Sequence, residues 1–148
     1  MRHFMLAVLF LVASHCSFAQ SSNGYIVAGA GSRHGKLISQ AAFGGESVIH
    51  KRIGVGAEIG AIAGHQSFAT FSANGYYHPP VTNRERVVDP FITAGYTAAV
   101  GLLGFEGNLV NFGGGVVYWF RRRIGLRVEF RGFEPARIYG FRAGITIR

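Results

Sequence analysis

The sequence predicts an all-β protein, an eight-stranded antiparallel up-and-down barrel that follows a cleaved export segment. Three observations predict it. Apolar residues recur with a period of two, not 3.6, from Gly24 onwards. The composition pairs 22 Gly with 13 Phe and 6 Tyr against only 4 Pro and 15% charged residues, a balance that favours sheets over helices. Eight alternating segments fill the chain, separated by short breaks, and eight strands are enough to close a sheet and remove its edges. With 49% hydrophobic residues the chain has the apolar surface that disordered chains lack. The glycines show no G-X-Y period, which excludes collagen.

The first element is a targeting segment. Arg2 and His3 precede the apolar run Phe4 to Ala13, and Ser17-Phe18-Ala19 places small residues at the −3 and −1 positions of a cleavage site. This is the pattern of a Sec-type signal peptide over residues 1–19, removed after Ala19. The run is too short to span a bilayer as a helix. The one cysteine, Cys16, leaves with it, so the mature domain, residues 20–148, has no thiol chemistry.

The strands follow in order. Tyr25 to Ser32, Ser39 to His50, Phe71 to His78 and Leu109 to Phe120 alternate weakly, and the other four strongly. Ile53 to Gly64 sets Ile53, Val55, Ala57, Ile59 and Ala61 against Gly54, Gly56, Glu58 and Gly60. Phe91 to Val100 sets Ile92, Ala94, Tyr96, Ala98 and Val100 against Phe91, Thr93, Gly95 and Thr97. Ile124 to Phe133 sets Ile124, Leu126, Val128 and Phe130 against Gly125, Arg127, Glu129 and Arg131, and Tyr139 to Arg148 repeats the pattern. Successive side chains on a strand point to opposite faces, so each segment has one apolar and one polar side. An internal echo supports the hairpins: Gly44 to Glu58 matches Gly115 to Glu129 at an offset of 71 residues, and the basic turns Lys51-Arg52 and Arg122-Arg123 coincide.

The polar face tells which way the barrel turns. A face exposed to water would be rich in Lys, Glu, Ser and Thr, but here it is mostly glycine, which suits the inside of a narrow barrel. The sparse charges on it, Glu46, Glu58, Arg127, Glu129, Arg131 and Arg142, are expected to form a balanced lumen network of three carboxylates and three guanidinium groups, because buried charges need partners. The apolar face then meets lipid, as in transmembrane barrels. Tyr76, Tyr77, Phe91, Tyr118, Trp119 and Phe120 cluster near strand ends and are expected to form an aromatic girdle at the membrane interface. Trp119 is out of phase with that role and implies a bulge or a ring plugging the mouth.

The stretch Asn111 to Arg131, NFGGGVVYWFRRRIGLRVEFR, resembles the penultimate hairpin of small bacterial outer-membrane β-barrel proteins of the OmpA/OmpX-like porin superfamily. Ile53 to Gly60, IGVGAEIG, resembles their central strand. The resemblance runs from about Gly24 to Arg148. It implies an outer-membrane barrel of a Gram-negative bacterium, with both termini in the periplasm. It also implies outer-membrane lipids and lipopolysaccharide as surroundings, and the barrel-insertion machinery as a partner in biogenesis. The chain departs from the family at its end, Ile147-Arg148, where members carry an aromatic residue. The basic residues Lys51, Arg52, Arg84, Arg86 and Arg121 to Arg123 fall on the periplasmic side of this topology, where they would meet phosphates or the cell wall.

No phosphate loop, dinucleotide fingerprint or metal-ligand cluster occurs, so no cofactor is expected. Gly29-Ala30-Gly31 is not followed by a helix. His34, His50, His65 and His78 fall in separate connections or strand ends and read as surface histidines. The net charge of +8 does not indicate nucleic acid, because the arginines are spread over turns and lumen and form no stripe. One catalytic pattern is present: His65-Gln66-Ser67 has the His-x-Ser spacing in which an imidazole could activate a serine, as in outer-membrane lipid A acyl hydrolases. No glutamate lies close by to orient the histidine. The expected protein is therefore non-enzymatic and monomeric, with a structural or surface-interaction role and a lumen plugged by Glu and Arg side chains. A soluble periplasmic carrier of a hydrophobic ligand is the alternative, and the lipid A hydrolase a lesser one.

Overall fold

The structure is a computed structural model that describes residues 21–64, 67–81, 87–101 and 104–148. Residues 1–19, assigned to the signal peptide, lie outside these, as do His65, Arg84 and Arg86. Eight strands run in chain order: β1 (Ser21–Arg33), β2 (Lys36–His50), β3 (Ile53–Ala63), β4 (Phe68–Tyr77), β5 (Val88–Gly101), β6 (Gly104–Trp119), β7 (Ile124–Glu134) and β8 (Ile138–Ile147). Each pairs antiparallel with its neighbour, and β1 pairs with β8 from Gly24↔Ile147 to Arg33↔Ile138. The sheet closes into a barrel and leaves no edge strand.

Every expected strand is present, but several are longer than the alternation indicated. β1 and β2 run on to a turn at His34 and Gly35, both with positive φ (50° and 78°). That is the turn whose twist matches a two-residue hairpin, and it replaces the break expected over Arg33 to Ile38. β4 begins at Phe68 and β5 at Val88, each three residues before the expected start. The backbone pairing of a closed barrel continues past the point where the side-chain pattern fades. Bulges interrupt the register near Ile49 on β2 and, opposite Ala99 and Val100, on β6 between Phe105 and Gly107.

The two faces divide as the alternation requires. Ile26, Phe43, Val55, Ile92, Tyr96, Val110, Leu126, Val128, Phe141 and Ile145 are exposed on the outer wall, and an apolar belt this continuous is not the surface of a water-soluble monomer. The interior is layered. At the end opposite the termini, Ile38, Ile62, Phe68, Leu109, Phe133 and Ile138 form an apolar cap. Charges fill the middle. Near the terminus end lies an aromatic layer of Tyr76, Phe91, Val117 and Trp119, with Tyr25 and Val27 beside it.

This layer corrects the girdle. Tyr77, Tyr118 and Phe120 do project from the outer wall, exposed by 41%, 48% and 50%, but Tyr76, Phe91 and Trp119 point into the lumen and are buried. The physical reason is the partner across the strand. Tyr76 pairs with Gly54, Phe91 with Gly115 and Trp119 with Gly125. A ring fits inside a narrow barrel where a glycine opposite makes room for it. No bulge is needed at Trp119, whose inward direction follows the regular alternation of β6.

Candidate functional site in the barrel lumen

The site grows from β7, whose alternation puts Arg127, Glu129 and Arg131 on the inner face, each fully buried. Adjacent strands supply the space: Arg131 lies between Gly113 of β6 and Gly140 of β8, and Arg127 faces Gly144. The opposite charges come from Glu46 on β2 and Glu58 on β3, and Arg142 comes from β8. All six charged residues expected in the lumen are there.

The geometry joins them into one network. Arg142 grips Glu58 with two bonds of 2.9 Å, from Nη1 and Nη2, a paired arrangement that guanidinium and carboxylate favour. Its Nε donates to Glu129 at 2.8 Å, and its Nη2 also contacts that carboxylate. Arg127 donates from Nε to Glu129 at 2.8 Å and from Nη1 to Glu46 at 3.3 Å. Arg131 reaches Glu58 at 3.4 Å and Glu129 at 3.5 Å, while its Nη1 donates to Asn111 at 2.8 Å. Glu58 and Glu46 therefore tie β3 and β2 to β7 and β8 across the lumen, so the network cross-links opposite walls as well as neutralising itself.

Neutral groups complete the lining. The Tyr25 hydroxyl donates to Glu58 at 2.9 Å, Asn23 donates to Glu46 at 3.2 Å, and Asn111 links onward to Thr97 and Ser72. The Arg127 guanidinium lies over both Tyr25 (4.1 Å) and Phe91 (4.0 Å), a cation–π contact strengthened by its burial. Sequence reasoning missed Tyr25 and Asn23. The available signal was phase: both fall on the inward parity of β1.

His78 is the second correction. It is 9% exposed, not a surface residue. Just beyond β4, its Nδ1 lies 3.0 Å from Asp89 and its Nε2 lies 3.4 Å from Glu46. Burial alone would lower its pKa, but the hydrogen bonds and negative charge of Asp89 and Glu46 outweigh that and hold it up at about 9. His78 is thus the cation that balances Asp89 at the mouth. His34 and His50 are exposed.

Among the described residues no three His, Cys, Asp or Glu side chains are grouped to hold a metal. Ser67 is exposed just before β4, and its would-be partner His65 falls outside the described residues. The carrier alternative requires an apolar interior, but the centre of this lumen is charged.

Comparison with known proteins supports the fold. No protein-family model matches the chain, and no curated protein sequence does. The structure is similar to the N-terminal β-barrel domain of Pseudomonas aeruginosa OprF, with a TM-score of 0.64 at 14% identity, over 87% of this chain and 98% of that one. It is similar to Neisserial surface protein A, with a TM-score of 0.66 at 14% identity, over 85% and 95% of the two chains. It is also similar to the de novo designed barrel TMB2.3, with a TM-score of 0.60 at 21% identity, over 86% and 93%. The architecture is that of a small outer-membrane β-barrel.

Proposed function

We propose that this chain is a non-enzymatic outer-membrane protein, exported by the signal peptide of residues 1–19, that acts as a closed, monomeric barrel with a structural or surface-interaction role. The observation that carries the reading is the inversion of polarity: large apolar side chains cover the outer wall while Arg127, Glu129, Arg131 and Glu58 are buried within it. A water-soluble protein of this shape would have to expose the belt and desolvate the charges at once, and both cost free energy. In a bilayer the belt meets acyl chains, and the termini face the periplasm. Its surroundings are then outer-membrane lipids and lipopolysaccharide, and its insertion uses the barrel-assembly machinery.

The lumen supports a plug, not a pore. Eight strands leave an interior that side chains can fill, and here Glu–Arg ion pairs span it at mid-height, with an apolar cap beyond. The test is fractionation of the expressed protein with gel mobility compared before and after boiling. Recovery in the outer membrane with a heat-modified band is expected, and planar-bilayer recordings should show no stable conductance. Recovery as soluble periplasmic protein would overturn the reading.

A further inference from the structure

The end of the barrel that carries the termini holds a cleft the lumen network does not use. It is a cavity of about 420 Å³ between the β2–β3 turn, the chain leaving β4, and the last residue. Lys51, Arg52, His78 and Arg148 line it, with Asp89 as the carboxylate on its wall. The local backbone holds these groups in place. Lys51 has a positive φ of 47°, which reverses the chain in two residues and leaves Lys51 and Arg52 exposed side by side. The His78 N–H donates to the Arg52 carbonyl at 2.9 Å, and the Arg148 N–H to the Arg123 carbonyl at 3.0 Å. Pro79 and Pro80 stiffen the wall between them.

The charge at this cleft is not self-contained. Asp89 is held by His78 at 3.0 Å and lies 3.7 Å from Arg148. Glu46, behind His78, is matched by Arg127. Lys51 and Arg52 have no acidic partner among the described residues. The wall therefore presents a cationic surplus in a concave site, which concentrates anions. A flexible ammonium beside guanidinium forks is a donor set suited to phosphate oxygens. The rim also has an apolar side: Val81 and Val88 are 41% and 43% exposed, and Tyr77 and Tyr118 stand on the outer wall of the neighbouring strand ends, the type of ring that settles at headgroup depth.

We propose that this cleft binds phosphate, either that of an anionic phospholipid headgroup in the adjoining leaflet or free inorganic phosphate. The lipid source rests on the membrane reading above; the phosphate chemistry does not. The chain carries its own reporter, because its one tryptophan, Trp119, lies with its ring 4.1 Å beneath the Arg148 guanidinium.

The experiment follows Trp119 emission of the refolded barrel in two settings: in a maltoside detergent titrated with inorganic phosphate, and in phosphatidylcholine nanodiscs with increasing phosphatidylglycerol. A saturable change is expected in at least one. In the Lys51→Ala, Arg52→Ala double variant the apparent affinity should fall about tenfold or more, as for the loss of charge-assisted bonds. A response to phosphatidylglycerol alone assigns the lipid source, and a response in detergent assigns free phosphate. The proposal is overturned by no response, by an equal response in the variant, or by chloride reproducing the change at matched ionic strength. Heat-modified mobility reports the barrel independently of any ligand, so failure of the membrane reading is seen separately. If the double variant loses that band, Arg52→Gln takes its place.

Discussion

The β2–β3 and β6–β7 hairpins repeat each other in sequence and lie four strands apart, so they face each other across the lumen. Their backbones behave as near copies. His78 closes on the Arg52 carbonyl as Arg148 closes on that of Arg123. Tyr25 pairs with Gly44 as Phe91 pairs with Gly115, and both rings flank the Arg127 guanidinium. Glu58 and Glu129 occupy matching places. The side chains around them do not match: where β7 carries Arg127 and Arg131, β3 carries Gly56 and Gly60. The glycines of β3 leave space for close neighbours of their own: a Cβ at Gly56 would meet the Gly45 carbonyl and the Tyr76 ring, and one at Gly60 the Thr70 hydroxyl. The repeat supplies the frame, and its breakdown supplies the network.

This comparison can be broken experimentally, and the largest effect is expected at the carboxylates. Glu129 contacts all three arginines and Glu58 two of them. Glu129→Gln should destabilise by about 3–5 kcal/mol, since it strands buried cations, and Glu58→Gln by less. Urea unfolding of the refolded barrel in detergent, followed by gel mobility, measures both; equal or negligible losses would show that the two sites are not ranked by their ion pairs.

The outer wall should be indifferent to the repeat and sensitive only to depth. Val128→Arg, near the middle of β7, and its counterpart Ala57→Arg should each cost about 2–4 kcal/mol if they meet the bilayer centre. Leu126→Arg, nearer the terminus end, should cost less. Unfolding in lipid vesicles gives the depth profile, and a flat profile would argue against a lipid-facing wall.

Glycines at mate positions separate the two hairpins on a smaller scale. A Cβ at Gly125 would lie 2.9 Å from Val117 Cγ1 and 3.1 Å from the Trp119 ring, whereas at Gly54 its nearest neighbours are at 3.2 and 3.5 Å. Gly125→Ala should cost about 1–3 kcal/mol through overpacking, with a shift in Trp119 emission, and Gly54→Ala should be milder.

The smallest effect is expected at the mouth. His78 is held at about 9 in the folded protein, above its unfolded value of about 6.5. Its contribution is thus fully present below pH 6.5 or so and is lost as pH rises through 9. The unfolding free energy should fall across that window, and the dependence should vanish in His78→Gln.

Much of this was legible in the chain because strand alternation is a local property. The inward positions of Glu58, Arg127, Glu129, Arg131 and Arg142 follow from parity alone, and so does the apolar wall of β3 and β7. Tyr76 and Phe91 lie near strand ends, which suggests a girdle, but their phase turns them inward, and the phase of Trp119 alone already points to a ring in the mouth. His78 reads as a surface residue in the sequence because periodicity does not reveal its partners: Glu46 reaches it from β2 and Asp89 across the β4–β5 connection.

By itself the sequence determined the number of strands, their faces and the balance of charge between them, because each depends on neighbours one or two residues away. Only the tertiary structure decided which carboxylate meets which guanidinium, which glycine makes room for which ring, and that the terminus end gathers Lys51, Arg52, His78 and Arg148 around one cleft. Those pairings depend on the register of a closed sheet, which brings together residues more than 80 positions apart, such as Glu58 and Arg142. Register is set by the whole ring of strands at once, and no local pattern encodes it.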